Sequence, residues 1–219
     1  MTRMKPQTED RYVPALSFDF LTPFYDLAVK LTTREKVFKE RLVGRIEIPP
    51  DGRLLDLACG TGTLTIAIKR RFPAATVHGL DGDSKILRIA RGKASSTGTE
   101  INFTEAFSTA LPYPDGYFDS VVSSLFFHHL TPENKRKTLL EVRRVLGGGG
   151  TLHVADWGQP SNSAMSLASM PVRWLDGATT RDSCAGKLPG MMEEAGFTSI
   201  VETDRFSTVF GTLRLHRSV

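Results

Sequence analysis

The sequence predicts an α/β fold built on an open, mostly parallel sheet. Three observations predict it. Strand-like and helix-like segments alternate through the middle of the chain. The stretch "LLDLACGTG", Leu54–Gly62, is an apolar run carrying one aspartate that ends in two glycines separated by one residue. The last two β-rich runs, "TSIVETDRF" and "STVFGTLRLHR", follow each other without a helix between them, as an edge hairpin would, at least partly antiparallel.

The elements follow in order. "RLLDLA" (53–58) is short and apolar, the pattern of a strand buried on both faces. Leu64, Ala67 and Ile68 then keep helical spacing until Pro73. "ATVHGL" (75–80) is a second strand. "DSKILRIARGKAS" (83–95) carries Ile86, Ile89 and Ala90 on one face, with Leu87 beside them. "INFTEA" (101–106) and "FDSVVSS" (118–124) are a third and a fourth strand. Thr131 is suited to N-capping, Pro132 to the first helical position and Glu133 to the helix dipole. That helix is expected to run to Leu146 and stop at "GGGG" (147–150). "TLHVAD" (151–156) is a fifth strand, and "KLPGMMEEAGF" (187–197) a helix stopped by Gly196. Two segments fall outside the alternation: residues 18–46, helix-like with aromatic positions, and residues 157–185, irregular and rich in Ser, Met, Trp and Gly. Both are expected to cover the sheet rather than belong to its layers. Residues 1–17 are expected to be a disordered tail.

Composition excludes several classes. No apolar run among the 219 residues approaches the roughly 20 needed to span a bilayer, and the polar first 12 residues lack a signal-peptide core. Cys59 and Cys184 are the only cysteines, too few for a disulfide scaffold or a cysteine zinc site; a reducing cytoplasm is the simplest compartment. "NFT" at Asn102 fits the glycosylation pattern but lacks a secretion signal. Net charge is +4. The basic groups at 69–71, 88–93 and 134–137 read as solvated helix faces, the alternative being contact with anionic lipid or nucleic acid.

The glycine turn carries the chemistry. In open α/β sheets ligands bind beyond the carboxyl ends of the strands. Gly60 and Gly62 permit tight backbone geometry there and let a ligand lie against bare main chain. Asp81 ends the second strand, where a carboxylate can accept from both hydroxyls of a ribose. A dinucleotide fingerprint would need a third glycine where Thr65 stands, and a phosphate P-loop is absent. Asp56, four residues before the first glycine, suits a cationic ligand rather than a phosphate.

At these residues the chain resembles the class I S-adenosylmethionine-dependent methyltransferases, closest to the small-molecule group typified by ubiquinone/menaquinone-biosynthesis C-methyltransferases. The motifs are "LLDLACGTG", "GLDGDSKILRIAR", "LPYPDGYFDSVVSS" with "HHL" after it, "RRVLGGGGTLHVAD" with Gly148 in place of a common proline, and "MMEEAGF". The resemblance implies a Rossmann-like, doubly wound, seven-stranded sheet with an antiparallel last strand and helices on both faces, forming one domain over residues 18–219. It implies S-adenosyl-L-methionine as cofactor and S-adenosyl-L-homocysteine as product. Asp56, Ala58 and the Gly60-Thr61-Gly62 turn should face the methionine portion, Asp81 the ribose, with Gly82 beside it. Relatives often carry Gly-Asp-Ala at the position of Ala106-Phe107-Ser108, the Asp contacting adenine. Here the acid is missing, so stacking by Phe107, contact from the backbone of Ser108, or both, should replace it. Ser123 and Ser124 should lie beside the sulfonium. Plain structural roles stand against these: Asp56 and Asp81 as turn acids, Phe107 as core, and Cys59 as a packing residue rather than a nucleophile.

Methyl transfer from a sulfonium is an in-line displacement, for which the protein aligns the acceptor and excludes water. His128 and His129 follow the fourth strand, where a base could serve. His129 matches the more recurrent family position; the alternative is a loop-orienting role. "SSLF" (123–126) lacks the [ND]-P-P-[YFW] of enzymes methylating base amino groups, "IPPDG" (48–52) precedes the first strand and cannot serve, and no aromatic–basic strip points to nucleic acid. Asp156 ends the fifth strand without the further acids of a metal cluster, so no metal is expected. Family members often begin with a "YD" segment whose tyrosine closes over the cofactor; the resemblance implies that role for Tyr25, with Arg34 a candidate for the carboxylate, the alternative being an amphipathic helix simply packed on the domain. Trp157, Met165, Met170 and Trp174 should line the pocket of a small, partly apolar acceptor. Oligomeric state stays open. The rival functions are an NAD(P)-dependent oxidoreductase and a non-catalytic S-adenosylmethionine-binding or scaffold protein.

Overall fold

The computed structural model describes residues 35–170 and 182–219. The expectations for the 1–17 tail, Tyr25, Arg34 and Trp174 lie outside the described residues. The elements are α1 (Glu35–Gly44), β1 (Arg53–Leu57), α2 (Thr63–Arg71), β2 (Thr76–Asp81), α3 (Ser84–Ser96), β3 (Asn102–Glu105), β4 (Phe118–Ser124), a 3-10 turn (Phe127–His129), α4 (Pro132–Val145), β5 (Leu146–Trp157), α5 (Ser163–Ala168), α6 (Leu188–Glu194), β6 (Val201–Thr208) and β7 (Gly211–Ser218).

The seven strands form one sheet in the order β3-β2-β1-β4-β5-β7-β6. β1 to β5 pair in parallel. β7 runs antiparallel to both β5 and β6, so the terminal hairpin inserts one strand and leaves the other at the edge. Strand order reverses between β1 and β4, the switch point at which open α/β sheets bind ligands.

Local chemistry accounts for the element boundaries. Asp83 caps α3 by accepting from the backbone N–H of Lys85 (2.7 Å) and Ile86 (3.4 Å), and Thr131 caps α4 by accepting from Asn134 N–H (3.2 Å), with Pro132 opening the helix. Both caps satisfy donors that a helix start leaves unpaired. The glycine run behaves differently from the expectation of a plain helix stop. α4 ends at Val145 and β5 already begins at Leu146, opposite Phe118, while pairing resumes only at Thr151 opposite Ser120. The longer chain between these two pairs is looped out as a bulge. A Cβ on Gly150 would stand 3.0 Å from Gly147 O, and Gly149 has φ 78°, so the bulge is built from residues that leave no room or conformational freedom for a side chain there.

Two buried clusters fill the two faces. One joins Leu55, Leu57, Phe118, Val121, Leu152 and Val154 to α4 and α6. The other joins Leu54, Val77, Val122, Ala155, Leu213 and Leu215 to α2 and to Phe38, Leu42 and Val43 of α1. Each large apolar side chain among them, fully buried, contributes about 1.5–3 kcal/mol. From residue 35 onward the N-terminal segment packs on the sheet through α1. α5, within the second expected cover, buries no residue, and Leu167 and Met170 stand largely exposed. Among the described residues no helix is long and apolar enough to cross a membrane.

Candidate active site

β1 delivers its aspartate into a turn held by backbone bonds. Cys59 N–H donates to Leu80 O (2.9 Å) and Gly62 N–H to Cys59 O (3.0 Å). Three residues of this turn have positive φ: Ala58 (57°), Gly60 (54°) and Gly62 (76°). The first is uncommon for a residue with a Cβ, the kind of stored strain found at ligand sites. The two glycines serve different needs. A Cβ on Gly62 would meet Ala90 Cβ at 3.0 Å, so that position lets α3 pack closely. A Cβ on Gly60 would meet nothing within 4 Å, leaving open space against bare backbone where a ligand fits. Cys59 is buried, and burial pushes its thiol well above the ordinary range, in keeping with a packing role.

Two carboxylates flank the turn. Asp56 is only 1% exposed. Burial pushes its pKa up to about 7, against the Thr65 hydroxyl, which donates at 2.6 Å, and the positive charge of Lys39; the neighbouring Asp81 raises it further. Asp81 is also raised, chiefly by burial, and is held by N–H groups of Gly60 (2.9 Å) and Asp83 (3.0 Å), one on each oxygen. A carboxylate oxygen has two lone pairs, so each still has acceptor capacity for a ribose hydroxyl. The Thr61 hydroxyl accepts from Lys93 Nζ (2.7 Å).

Beyond β3, Phe107 is 60% exposed, which removes the plain-core reading of its ring. The ring lies against Gly82, where a Cβ would come within 3.3 Å of it. Gly82 and Phe107 thus make a flat, open wall next to Asp81. Ser108 turns the other way: its hydroxyl is buried on Thr138 of α4 (2.8 Å), leaving only backbone for a ligand. Arg144 fixes the following loop through the carbonyls of Leu111 (2.9 Å) and Tyr113 (2.8 Å). Ser123 is fully buried and donates to Leu57 O (3.0 Å), so its hydroxyl stitches β4 to β1.

The two histidines differ. His128 is buried, with Nδ1 2.6 Å from Asp156 Oδ1 and its backbone N–H on Asp156 Oδ2 (3.2 Å). Burial alone would raise Asp156, but the His128 imidazole beside it and the Trp157 N–H hold it below the usual carboxylate range. His129, whose ring centroid is 3.9 Å from that of His128, is pushed down to about 3 by burial and then by its neighbour. Sequence reasoning missed Asp156 as the partner of His128. The signal was there only jointly: an acid ending β5 and a histidine following β4 meet once those strands are paired. It also missed Lys39 and Thr65 as partners of Asp56.

The Methyltransferase domain family matches residues 54–150. The demethylmenaquinone methyltransferase of Thermus thermophilus is 38% identical over 68% of this chain and 68% of its own length. The chain belongs to the class I S-adenosylmethionine-dependent methyltransferases, of the UbiE type. A ubiquinone/menaquinone biosynthesis C-methyltransferase UbiE from Hahella chejuensis is 31% identical over 74% of this chain and 67% of that protein. The crystal structure of the PH0226 protein from Pyrococcus horikoshii superposes with a TM-score of 0.66 at 20% identity, covering 85% of this chain and 89% of that one, and supports the fold. The chain is therefore a methyltransferase, and S-adenosylmethionine is its methyl donor.

Proposed function

We propose that this methyltransferase places the methyl group on a ring carbon of a small, partly apolar quinol, with residues 18–219 acting as one domain. The acceptor class is supported by the names of the relatives above. The observation that carries the chemistry is the buried His128–Asp156 pair at the carboxyl ends of β4 and β5. S-Adenosylmethionine supplies an activated methyl group on a cationic sulfur. Asp56, Ala58 and the Gly60–Gly62 turn hold its methionine end, Asp56 facing the positive charges. Asp81 holds the ribose, Gly82 and Phe107 flank adenine, and the buried Ser123 forms floor beside the sulfur.

The reduced ring is the competent acceptor, because carbon attack needs an electron-rich ring. With Nδ1–H turned to Asp156, His128 keeps its lone pair on Nε2. It would take the proton of a ring hydroxyl and so make the ring carbon nucleophilic; the methyl group for that carbon would come from S-adenosylmethionine, leaving S-adenosylhomocysteine. The ring hydrogen on that carbon then leaves as a proton, restoring aromaticity. Asp156 orients the imidazole and stabilises its cation without itself being protonated. His129, with its pKa near 3, is too weak a base near neutrality and serves the loop.

The experiment is mass analysis of 1,4-dihydroxynaphthalene incubated with S-adenosylmethionine and the protein. A gain of one methyl on carbon is expected. His128→Asn should lower kcat by roughly 10²–10⁴, the range for a positioned acid–base group, with cofactor affinity intact, and His129→Asn should cost far less. A methyl found only on oxygen, or equal losses in the two variants, would overturn the assignment.

A further inference from the structure

A cavity of about 170 Å³ lies between the ends of β5 and β7 and the start of α6. Asp156 forms part of its wall, so it shares a side chain with the histidine pair. Ser183 lines it as well. That residue is 2% exposed, and its hydroxyl has no hydrogen-bond partner among the described residues. A buried hydroxyl left unpaired is unfavourable, and native structures rarely keep one without a use.

Size and charge narrow the occupant. Cavities of about 150 Å³ hold a benzene ring, so the space admits one substituted ring. Leu188 and Pro189 give it an apolar side. The charged groups around it are already matched. Arg214 is clamped by Glu202 and by Gln159 O, at 2.9 Å from Nε and 2.8 Å from Nη2. Asp156 accepts from His128 and from the Trp157 N–H. Burial keeps His216 below the ordinary histidine range. The lining holds two carboxylates against one guanidinium, which disfavours an anion, and one hydroxyl is left to pair with a neutral oxygen.

We infer that this cavity is the acceptor's head-group subsite, taking a neutral ring that bears hydroxyl or carbonyl oxygen, with the Ser183 hydroxyl as its hydrogen-bond partner. This rests on the quinol reading for the identity of the ring, and it adds where the ring goes. Ring oxygen paired at Ser183 sets the head group beside Asp156. Ser183 is then a specificity residue: it selects oxygenated rings over bare ones.

The test titrates hydroquinone, 1,4-naphthoquinone and benzoate against the full chain saturated with S-adenosylhomocysteine, by calorimetry, for the wild type, Ser183→Ala and Ser183→Leu. At least one neutral ring should bind the wild type and benzoate should not. Ser183→Ala should weaken ring binding roughly two- to tenfold, the range for one lost hydrogen bond. Ser183→Leu, which fills the space, should abolish it. Affinity for S-adenosylhomocysteine should stay unchanged in both. If Ser183→Leu fails to fold, Ser183→Ala alone decides. Equal ring affinity in the wild type and the variants, tighter binding of benzoate, or no ring binding at all would overturn the subsite. Ser183-dependent ring binding without methylation of any quinol would sink the quinol reading and leave the subsite standing. Quinol methylation with KM unchanged in the variants would do the reverse.

Discussion

Replacing Asp56 by asparagine should make the free protein more stable and the enzyme worse. In the unfolded chain an aspartate titrates near 3.9; in the fold burial lifts Asp56 to about 7. A carboxyl with a raised folded pKa favours the fold fully below the unfolded value, and that contribution is lost as pH rises through the folded value. The window is therefore about pH 4 to 7. The gap of about three pK units corresponds to at most about 4 kcal/mol, at 1.36 kcal/mol per unit. The amide of the Asp56→Asn variant stays neutral throughout. The variant should melt at the wild-type temperature near pH 4.5 and above it at pH 8, by about 2–4 °C for each kcal/mol in a chain of this size. The cationic donor should reverse the shift on binding, releasing a proton from Asp56 below pH 7. Calorimetry at pH 6.5 in two buffers of different ionisation enthalpy reads that proton directly. The wild type should release it and the variant should not, while binding the donor more weakly at pH 8. An unchanged stability difference between pH 4.5 and pH 8, or binding without proton release, would show that Asp56 is already ionised in the free protein and refute the reasoning.

Other outcomes follow from the same geometry. Phe107→Ala should cost roughly 1–3 kcal/mol of cofactor affinity, the range for a base stacked on an aromatic ring, with the melting temperature unchanged because the ring is exposed; a loss of stability with affinity intact would sink the stacking role. Burial also lowers His78, His129, His153 and His216, His129 to about 3 and His153 to about 4. Their folded values lie below the unfolded value near 6.5, so the stability they give is present above that pH and lost as pH falls from it toward 4; urea midpoints at pH 7.5, 6 and 5 should fall in that order, less steeply in His153→Gln. Hydrogen exchange should protect the amides of α1 nearly as well as those of β1, since Phe38 and Leu42 are buried, whereas α5 should exchange fast; rapid exchange in α1 would refute its part in the core.

What was legible in the sequence was whatever a residue decides with its chain neighbours. Asp83 and Thr131 announce their helices because a cap bonds within three residues. The central strands show as apolar runs because both faces are covered. The glycine run at 147–150 did not show as a bulge, because a bulge is defined by the partner strand, here Phe118 and Ser120 of β4. The same limit governs the site. Asp56, Asp81 and the glycines stand in local motifs, so the turn and its two carboxylates are legible in the sequence. Ser123 is expected beside the sulfonium, but its hydroxyl is taken by Leu57 O, sixty-six residues away in sequence, and the hydroxyl of Ser108, expected to contribute only its backbone, is taken by Thr138. Asp156 was noticed only as the end of a strand, and its bond to His128 spans two strands and a turn.

The sheet and the site obey opposite rules, and the contrast argues for function. In the sheet, propensity, pattern and burial agree, as they do where a sequence specifies one structure. At the carboxyl ends of β1, β2 and β3 they disagree: Ala58 holds a positive φ, Asp56 is buried with its charge disfavoured, Asp81 is raised beside it, and Phe107 leaves an aromatic ring in water. Each of these is unfavourable in the free protein. A single cationic ligand with a ribose and a flat base would relieve most of them together, supplying positive charge to Asp56, hydroxyls to Asp81 and a surface to Phe107. Four separate defects would call for four explanations, whereas the proposed adenosyl sulfonium would account for three of them. The strain in the turn remains, as the cost of holding the backbone open for that ligand before it arrives.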